Sequence, residues 1–281
     1  MNGKKLNIAI QGVKAAFHDV AARQYFDTDN IELSEYRDFR SMSQAVAKEE
    51  VDYGMMAIEN TLAGSLLPNY GLIEEFDLSI IGEEYLRIQM QLMALPGEQL
   101  KDINQVLSHP IALSQCGIFL ENYPHWKVTE ADDTAGSALM IAKKELKGIA
   151  AIASELAAET YGLEILAPSI ETNKKNFTRF LAIAKRPIKT MHVDKASLRL
   201  VLQHKPAALS NALYIIGKKG LNLSKIQSVP IIGHPYEYAI HLDVEFKDLA
   251  VFEAALNAVK EECINLKILG TYLQGNKPVQ K

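Results

Sequence analysis

The sequence predicts a mixed α/β fold with a two-lobed N-terminal unit and a smaller C-terminal domain. Three observations indicate this fold. Through residue 185, short apolar runs rich in β-branched residues alternate with segments of helical periodicity, which is typical of a mostly parallel sheet. A basic segment without periodicity then contains Pro187. Beyond it the elements follow the ferredoxin-like order βαββαβ.

The N-terminal unit is predicted to contain two α/β lobes. The first set of elements comprises strands at 6–11, 31–39 and 51–58 and helices at 15–26 and 42–48. The second set comprises apolar strand segments at 79–95, 105–109, 126–131, 148–154, 163–170 and 177–185 and helices at 112–123 and 134–146. Because ligands bind between lobes and at the carboxyl ends of strands, we expect a cleft between the two sets.

The predicted domain boundaries follow from these patterns. The two-lobed unit covers residues 1–186, the linker covers 187–195, and the C-terminal domain covers 196–281. The C-terminal elements are strands at 197–204, 222–231, 236–246 and 264–273 and helices at 206–219 and 248–263.

The composition is that of a globular protein that acts on small molecules. Of the 281 residues, 48% are hydrophobic and 23% are charged, which is ordinary for soluble domains. The net charge of -4 and the absence of a basic stripe argue against binding to nucleic acid or to an anionic membrane. The N-terminus lacks a secretion signal, and no stretch approaches the ~18 apolar residues of a membrane span. We therefore expect a cytoplasmic location.

The sequence predicts neither a cofactor nor a metal. Cys116 and Cys263 lie far apart and have no metal-binding or redox spacing. Gly12 follows the first strand, but the further glycines of a dinucleotide-binding turn are absent. No P-loop, nucleophile triad pattern or metal-ligand spacing occurs.

Four stretches place polar groups at the ends of apolar strands, where an interlobe cleft would lie. In AIENTLAGS, Glu59, Asn60 and Thr61 follow a strand, and Gly64 and Ser65 are expected to open a helix whose free N–H groups favour an anion. The others are SHPIALSQC with Ser108, His109 and Gln115, DDTAGSA with Asp133 or Thr134 as a cap, and AIASELAAETYGL with Ser154 as a cap. Ordinary helix capping also explains each stretch, so the residues alone predict only an anion-binding cleft.

A fifth stretch, NFTRFLAIAK, places Thr178 and Arg179 side by side at the start of an apolar strand. Each has an ordinary explanation, because threonine favours strands and an arginine at a strand end usually meets solvent. In this order and at these separations, however, the five stretches resemble the successive motifs of the prephenate dehydratases. Residues 205–245 resemble the ACT regulatory domain that follows in that family.

This resemblance covers nearly the whole chain. It implies a type II periplasmic-binding-protein-like catalytic domain followed by an ACT domain. We expect the monofunctional form, because no mutase-like helical segment precedes residue 6.

The implied reaction converts prephenate to phenylpyruvate with loss of the ring carboxylate and the ring hydroxyl. The resemblance makes Thr178 the donor to the departing hydroxyl, with Asn60, Gln115 or a water sharing that role. It makes Arg179 a fork for a substrate carboxylate, for which we expect the side-chain carboxylate. The residues expected to bind substrate are Glu59, Asn60, Thr61, Gly64, Ser65, Gln115, Ser154, Asn176 and Phe180.

The resemblance also implies feedback by L-phenylalanine in a homodimer or a homotetramer. The positions that match the effector site are Ala207, Ala208, Leu209, Asn222, Gln227, Ser228 and Pro230. Ala207 replaces the usual helix-opening glycine, and Gln227 and Val229 replace the usual acidic and basic residues. In the first loop, Ala15 and Ala16 stand where a glycine and a small hydroxyl residue are usual, so a contact there is missing or supplied by His18.

Two alternatives stay open at this point. Arogenate dehydratase carries out the same chemistry on the aminated substrate, and competition between the two substrates would distinguish them. A non-catalytic two-lobed ligand-binding module has the same architecture, but the Thr178 hydroxyl and the lack of a secretion signal argue against it.

Overall fold

The computed structural model of the chain describes residues 5–27, 30–188, 190–231, 233–234 and 237–276. These residues form two lobes, each built on a mixed sheet with helices, and a four-stranded C-terminal domain, which confirms the predicted fold class. Parts of the predicted domains and linker lie outside the described residues, among them Lys189 of the linker and Tyr236 of a predicted strand.

The first lobe is built on a sheet with the strand order β2-β1-β3-β11-β5. Its strands are β1 (Leu6–Gln11), β2 (Ile31–Tyr36), β3 (Tyr53–Asn60), β4 (Gly64–Ser65), β5 (Ser79–Arg87) and β11 (Phe177–Ala184), and its helices are α1 (Phe17–Phe26), α2 (Phe39–Ala47) and α3 (Leu67–Glu75). Strand β1 runs parallel to β2 and β3, whereas β11 runs antiparallel to both of its neighbours. The last strand of the two-lobed unit therefore returns to the centre of the first sheet.

The second lobe is built on a sheet with the strand order β10-β6-β9-β7-β8. Its strands are β6 (Gln91–Ala94), β7 (Gln105–Ser108), β8 (Lys127–Glu130), β9 (Ile149–Ala153) and β10 (Glu164–Ala167), and its helices are α4 (Pro110–Gln115), α5 (Gly117–Glu121), α6 (Thr134–Lys144) and α7 (Glu155–Tyr161). The chain crosses between the lobes twice, after β5 and before β11. A cleft with two connecting segments results.

Two local predictions differ from the structure. Gly64 and Ser65 do not open a helix, because they form the short strand β4 paired with Asn60 and Glu59, and α3 begins at Leu67. Gly64 has a φ of 84°, which a right-handed helix does not accept. The single helix predicted at 112–123 is instead two helices that meet at Cys116.

The C-terminal domain has the order β12 (Lys195–Leu202), α8 (Ala208–Lys218), β13 (Asn222–Pro230), β14 (Tyr238–Glu245), α9 (Leu249–Lys260) and β15 (Cys263–Tyr272). Its antiparallel sheet has the order β13-β14-β12-β15, which is ferredoxin-like. Helices α8 and α9 enclose a separate apolar core around Leu198, Leu242 and Phe252. Strand β12 begins at Lys195, so the last residue of the predicted linker belongs to this sheet.

The C-terminal domain packs directly on the first lobe. Leu269 and Tyr272 of β15 join the apolar cluster that lies under β3 and β11. At Gly270 a side chain would place its Cβ 1.9 Å from the carbonyl oxygen of Ile80, so only glycine permits this approach of β15 to β5.

None of the helices in the described ranges has the length and apolar character needed to span a bilayer.

Replacing Ala207 with glycine is expected to stabilise the protein. Ala207 precedes α8 with a φ of 66°, a left-handed conformation that costs an alanine about 1–2 kcal/mol relative to the ordinary regions. We expect Ala207→Gly to raise the free energy of unfolding by about 1 kcal/mol, measured by urea denaturation. Ala208→Gly, one residue into the helix, should lower it. Equal changes in the free energy of unfolding for the two substitutions would show that the left-handed backbone of Ala207 is not strained.

Candidate active site

A cavity of about 350 Å³ lies between the two lobes. Its walls are mainly apolar, and its polar groups come from the ends of β1 and β3, from β4, from the starts of α1, α6 and β11, and from both ends of α4. The lining residues are Gln11, Ala16, Phe17, His18, Ala57, Asn60, Ala63, Gly64, Ser65, Leu66, Ile88, Met90, His109, Ile111, Ala112, Gln115, Asp132, Asp133, Thr134, Thr178 and Phe180. Mostly apolar walls with a few convergent polar groups are typical of a small-molecule site.

Strand β11 presents alternate residues to the cavity. Thr178 and Phe180 line it, whereas the side chain of Arg179 points to the opposite face of the sheet, as successive side chains of a strand do. All three side chains are buried, but in different environments. The strand therefore carries its hydroxyl and its guanidinium on opposite sides.

The side-chain amide of Asn60 has one possible orientation. Its Oδ1 accepts hydrogen bonds from the backbone N–H groups of Leu62 and Ala63, both 2.9 Å away, so its nitrogen must lie on the other side. That nitrogen donates to Oγ1 of Thr178 at 2.9 Å and to Oδ1 of Asn176 at 2.8 Å. Because the Thr178 oxygen accepts this bond, its own proton is available to the cavity.

The same chain of amides orients Gln115. Asn176 is fully buried and accepts from Asn60, so its Nδ2 donates to Oε1 of Gln115 at 2.8 Å. The carbonyl end of Gln115 is thus engaged, and its Nε2 group is available to donate into the cavity. Backbone groups at residues 62 and 63 thereby fix the direction of two donors, Thr178 and Gln115, that face the same space.

The starts of α4 and α6 contribute further polar groups. His109 caps α4, and its Nδ1 accepts from the N–H of Ile111 at 3.3 Å, which places the imidazole proton of the neutral ring on Nε2. Asp133 caps α6 by accepting from the N–H of Gly136 at 2.7 Å. Burial raises the pKa of Asp133, and the N–H groups of Gly136 and Ala135 offset only part of that rise. A half-buried carboxyl group with a raised pKa in a cleft is a candidate functional residue.

His18 is an uncharged part of the cavity wall. Its ring packs edge-on against Phe180 with centroids 5.0 Å apart and lies beside Phe39. Burial lowers its pKa to about 4, and its buried Nε2 has no hydrogen-bond partner among the described residues. At neutral pH the imidazole is therefore neutral.

His18 should make stability depend on pH. Its folded pKa of about 4 lies below the unfolded value of 6.5, so its contribution is present above pH 6.5 and is lost as pH falls toward 4. Relative to a His18→Phe variant, the wild type should lose about 2 kcal/mol of unfolding free energy between about pH 7.5 and 5. Denaturant titrations at both pH values measure this difference, and parallel pH profiles would contradict it.

The described lining of the cavity contains no side chain that is permanently positively charged. No lysine or arginine occurs among the cavity-lining residues that the structure describes. The hydroxyls of Ser65 and Thr134 and the Nε2–H of His109 are lining groups that can donate to an anion there, whereas the N–H groups of Ile111 and Gly136 are engaged by the caps. In the described ranges, no three His, Cys, Asp or Glu side chains are clustered in a way that could hold a metal ion.

Comparison with known proteins matches this chain to one family. The prephenate dehydratase profile matches residues 8–188. An arogenate/prephenate dehydratase of Arabidopsis thaliana is 37% identical over 96% of this chain and 74% of its own length. A bifunctional chorismate mutase/prephenate dehydratase of Aquifex aeolicus is 36% identical over 96% of this chain and 74% of its own length. The chain belongs to the prephenate dehydratase family.

A solved structure that is similar to this chain is described with an activity other than that of a dehydratase. GqqA, described as a novel type of quorum-quenching acylase, is 30% identical and superimposes with a TM-score of 0.85. The similarity covers 95% of this chain and 98% of that protein. The resemblance inferred from the five sequence motifs is confirmed at the level of the family.

The structure places Arg179 away from the cleft, where the family resemblance had assigned it to a substrate carboxylate. Its guanidinium donates from Nε to Glu83 at 2.7 Å and from Nη2 to Tyr272 at 3.2 Å, and it also contacts Asp243. Burial lowers the pKa of Arg179, but Asp243, Tyr272 and Glu83 outweigh burial and raise it well above the ordinary value. In this conformation Arg179 cannot bind a substrate in the cleft, because strand alternation turns it toward the C-terminal domain.

Other predicted substrate-binding residues also lie outside the cavity wall. The Glu59 carboxylate contacts Lys225 of the C-terminal domain. Thr61 accepts from the N–H of Phe177 and donates to the carbonyl of Lys175, which fixes the start of β11. Ser154 caps α7 and donates to the carbonyl of Ala15 at 2.6 Å. Asn176 lies behind Asn60 and Gln115, whereas Gly64, Ser65 and Phe180 line the cavity as expected.

The predicted effector positions fall on two segments of the C-terminal domain. Ala207, Ala208 and Leu209 form the start of α8, and Asn222, Gln227, Ser228 and Pro230 lie on β13. Asn222 donates to Glu245, and Gln227 donates to the carbonyl of Ser228. Their role in binding an effector stays a prediction.

Proposed function

We propose that the chain converts prephenate to phenylpyruvate, with the hydroxyl of Thr178 as the hydrogen-bond donor to the departing ring hydroxyl. The observation that carries this proposal is the fixed amide chain through Asn60 and Asn176, which leaves two donors, on Thr178 and Gln115, facing one apolar cavity. Preorganised donors of this kind stabilise charge that develops on a leaving group.

The chemistry needs little covalent machinery. Hydroxide is a poor leaving group near neutral pH, so it must be protonated or strongly hydrogen-bonded as its bond to carbon breaks. The Asn60 amide donates to Thr178 Oγ1 and so makes the remaining O–H a better donor. Gln115 Nε2 and His109 Nε2–H are two further donors at the cavity. Loss of carbon dioxide and aromatisation of the ring supply the driving force.

The two substrate carboxylates need different surroundings. Firm binding of the ring carboxylate would oppose its loss, so this group belongs against the apolar wall formed by residues such as Phe180 and Met90. The side-chain carboxylate belongs near the hydroxyl of Thr134 and the Nε2–H of His109, which replace the arginine that the sequence suggested.

The C-terminal domain is proposed as a regulatory domain that binds L-phenylalanine. Support comes from its ferredoxin-like topology and from the family resemblance of the segments that begin at Ala207 and Asn222. We also propose a homodimer or homotetramer, in which such domains form effector sites. Sedimentation with and without L-phenylalanine tests this assembly, and a monomer under both conditions would exclude it.

Arogenate is the second candidate substrate. Asp132 and Asp133 line the cavity, which lacks lysine and arginine among its described lining residues, and a carboxylate there could pair with the ammonium group of arogenate. For the acylase activity described for GqqA, Thr178 would be a poor nucleophile, because its Oγ1 contacts an amide, and an amide cannot accept the proton of a nucleophile.

The deciding experiment supplies the purified full chain with prephenate and arogenate, separately and in competition. We expect phenylpyruvate from prephenate, with the higher kcat/KM for this substrate. Preferential formation of phenylalanine from arogenate would assign the second function. A folded protein that turns over neither substrate would overturn the assignment as a dehydratase, and a parallel assay with an acyl-homoserine lactone would then test acylase activity.

A further inference from the structure

A buried cluster of charged side chains joins the first lobe to the C-terminal domain. Its members, here called the interdomain charge cluster, are Glu83, Arg179, Lys195 and Asp243. Glu83 and Lys195 are fully enclosed, and the side chains of Arg179 and Asp243 are 5% and 7% exposed. The cluster carries two positive and two negative charges and is therefore neutral.

Every member of the interdomain charge cluster has several partners. Glu83 accepts from Arg179 at 2.7 Å and from Lys195 at 2.9 Å. Asp243 contacts Arg179 and accepts from the hydroxyl of Ser197 at 2.6 Å. Ion pairs of this kind are weak evidence for stability, because desolvation opposes their attraction, but they hold a defined geometry.

The register of β11 and β3 connects this cluster to the active site. Thr178 pairs with Asn60 across the two strands, and the next pair along is Arg179 with Glu59. The first pair faces the cavity and forms the hydrogen bond that orients the Thr178 proton. The second pair faces the C-terminal domain.

Each member of the second pair is held by a side chain of the C-terminal domain. Asp243 of β14 contacts Arg179, and Lys225 of β13 contacts Glu59. Lys225 is 8% exposed, whereas Glu59 is 41% exposed. Lys225 also lies over the ring of Tyr70 and donates to the hydroxyl of the cavity-lining Ser65 at 3.5 Å. Strands β13 and β14 of the C-terminal domain thus contact strands β3 and β11 of the first lobe. These contacts lie one residue along each strand from the pair Thr178 and Asn60.

We propose that Arg179 and Glu59 are positioning residues, through which Asp243 and Lys225 of the C-terminal domain set the placement of Thr178 and Asn60. This inference rests on the proposed dehydratase function. Because a short stretch of paired backbone joins the two pairs, a shift of the C-terminal sheet moves the second pair and alters the donor geometry of the first. The C-terminal domain can thus act on turnover from the face of the sheet opposite the cavity.

The test uses substitutions in the C-terminal domain that leave the cleft residues unchanged. Asp243→Asn removes the charge that faces Arg179, and Lys225→Met removes the charge that faces Glu59 at similar side-chain length. We expect each to lower kcat for prephenate about tenfold with less than a twofold change in KM, since small displacements of a reacting group reduce rate more than binding.

Arg199→Met is the matched control. Arg199 also forms an ion pair between the domains, 2.6 Å from Glu74, but Glu74 lies on α3 and not on a strand that carries a catalytic residue. We expect its kcat to stay within twofold of the wild type. Equal losses in all three variants, or no loss in Asp243→Asn and Lys225→Met, would overturn the proposal.

Hydrogen exchange gives a readout that does not depend on activity. Amides of Phe177–Ala184 and Tyr53–Asn60 should exchange faster in Asp243→Asn and Lys225→Met than in Arg199→Met. If the wild type does not turn over prephenate, the proposed function fails, and the exchange rates still decide whether the C-terminal domain holds these strands. Unchanged exchange in both variants would overturn the coupling itself.

Discussion

Replacing Thr178 with valine is expected to lower kcat for prephenate by about 10²–10⁴-fold with little change in KM. Valine keeps the β-branched shape that fills this buried strand position, and it removes only the hydroxyl. The loss follows because the departing ring hydroxyl would have no donor at the site that Asn60 prepares. Steady-state formation of phenylpyruvate measures the effect.

Thr178→Ser is the matched control, because it keeps the hydroxyl and removes one methyl group. We expect it to retain most of the wild-type kcat. Circular dichroism and denaturant midpoints of both variants would show that the fold is kept. If Thr178→Val retained wild-type kcat, the hydrogen bond to the leaving group would have to come from another donor, such as Gln115 or His109.

Replacing Glu83 with leucine is expected to lower the free energy of unfolding by about 3–5 kcal/mol. Glu83 is fully buried, and it accepts hydrogen bonds from Arg179, Lys195 and the backbone N–H of Gly275. Its removal leaves Arg179 and Lys195 with a single carboxylate, Asp243, and so one uncompensated positive charge in a region that water does not reach. Urea denaturation of the full chain, followed by fluorescence and circular dichroism, measures the loss.

Glu75→Leu is the control for an exposed ion pair of the same residue types. Glu75 contacts Arg40 on the surface, where water screens such pairs, so its removal should cost far less than the loss expected for Glu83→Leu. The double variant Glu83→Leu, Lys195→Met removes one charge of each sign and should recover part of the stability. A small loss for Glu83→Leu would show that water reaches the cluster.

Local sequence patterns predicted many elements of the fold. The caps Asp133 and Ser154 behave as expected, because a helix start depends on a few neighbouring residues. Gly64 and Ser65 do not follow their local tendency. Their backbone groups pair with Asn60 and Glu59, and this hairpin takes precedence over the local tendency to begin a helix.

The sequence also contained a signal that separates Thr178 from Arg179. Neighbouring residues of a strand face opposite sides of the sheet, so both could not enter one cleft. The same alternation separates Asn60 from Glu59. Period-2 alternation therefore indicates that half of each motif faces away from the cleft, although motif resemblance had assigned all four residues to it.

By itself the sequence determined the family, the α/β fold class, the order of the elements and the residues from which a cleft could be built. Only the tertiary structure decided that Arg179 and Glu59 meet Asp243 and Lys225, which lie 64 and 166 residues away along the chain. The physical reason is that strand and cap preferences are local, whereas the partner of a buried charge depends on how the domains pack and exclude water.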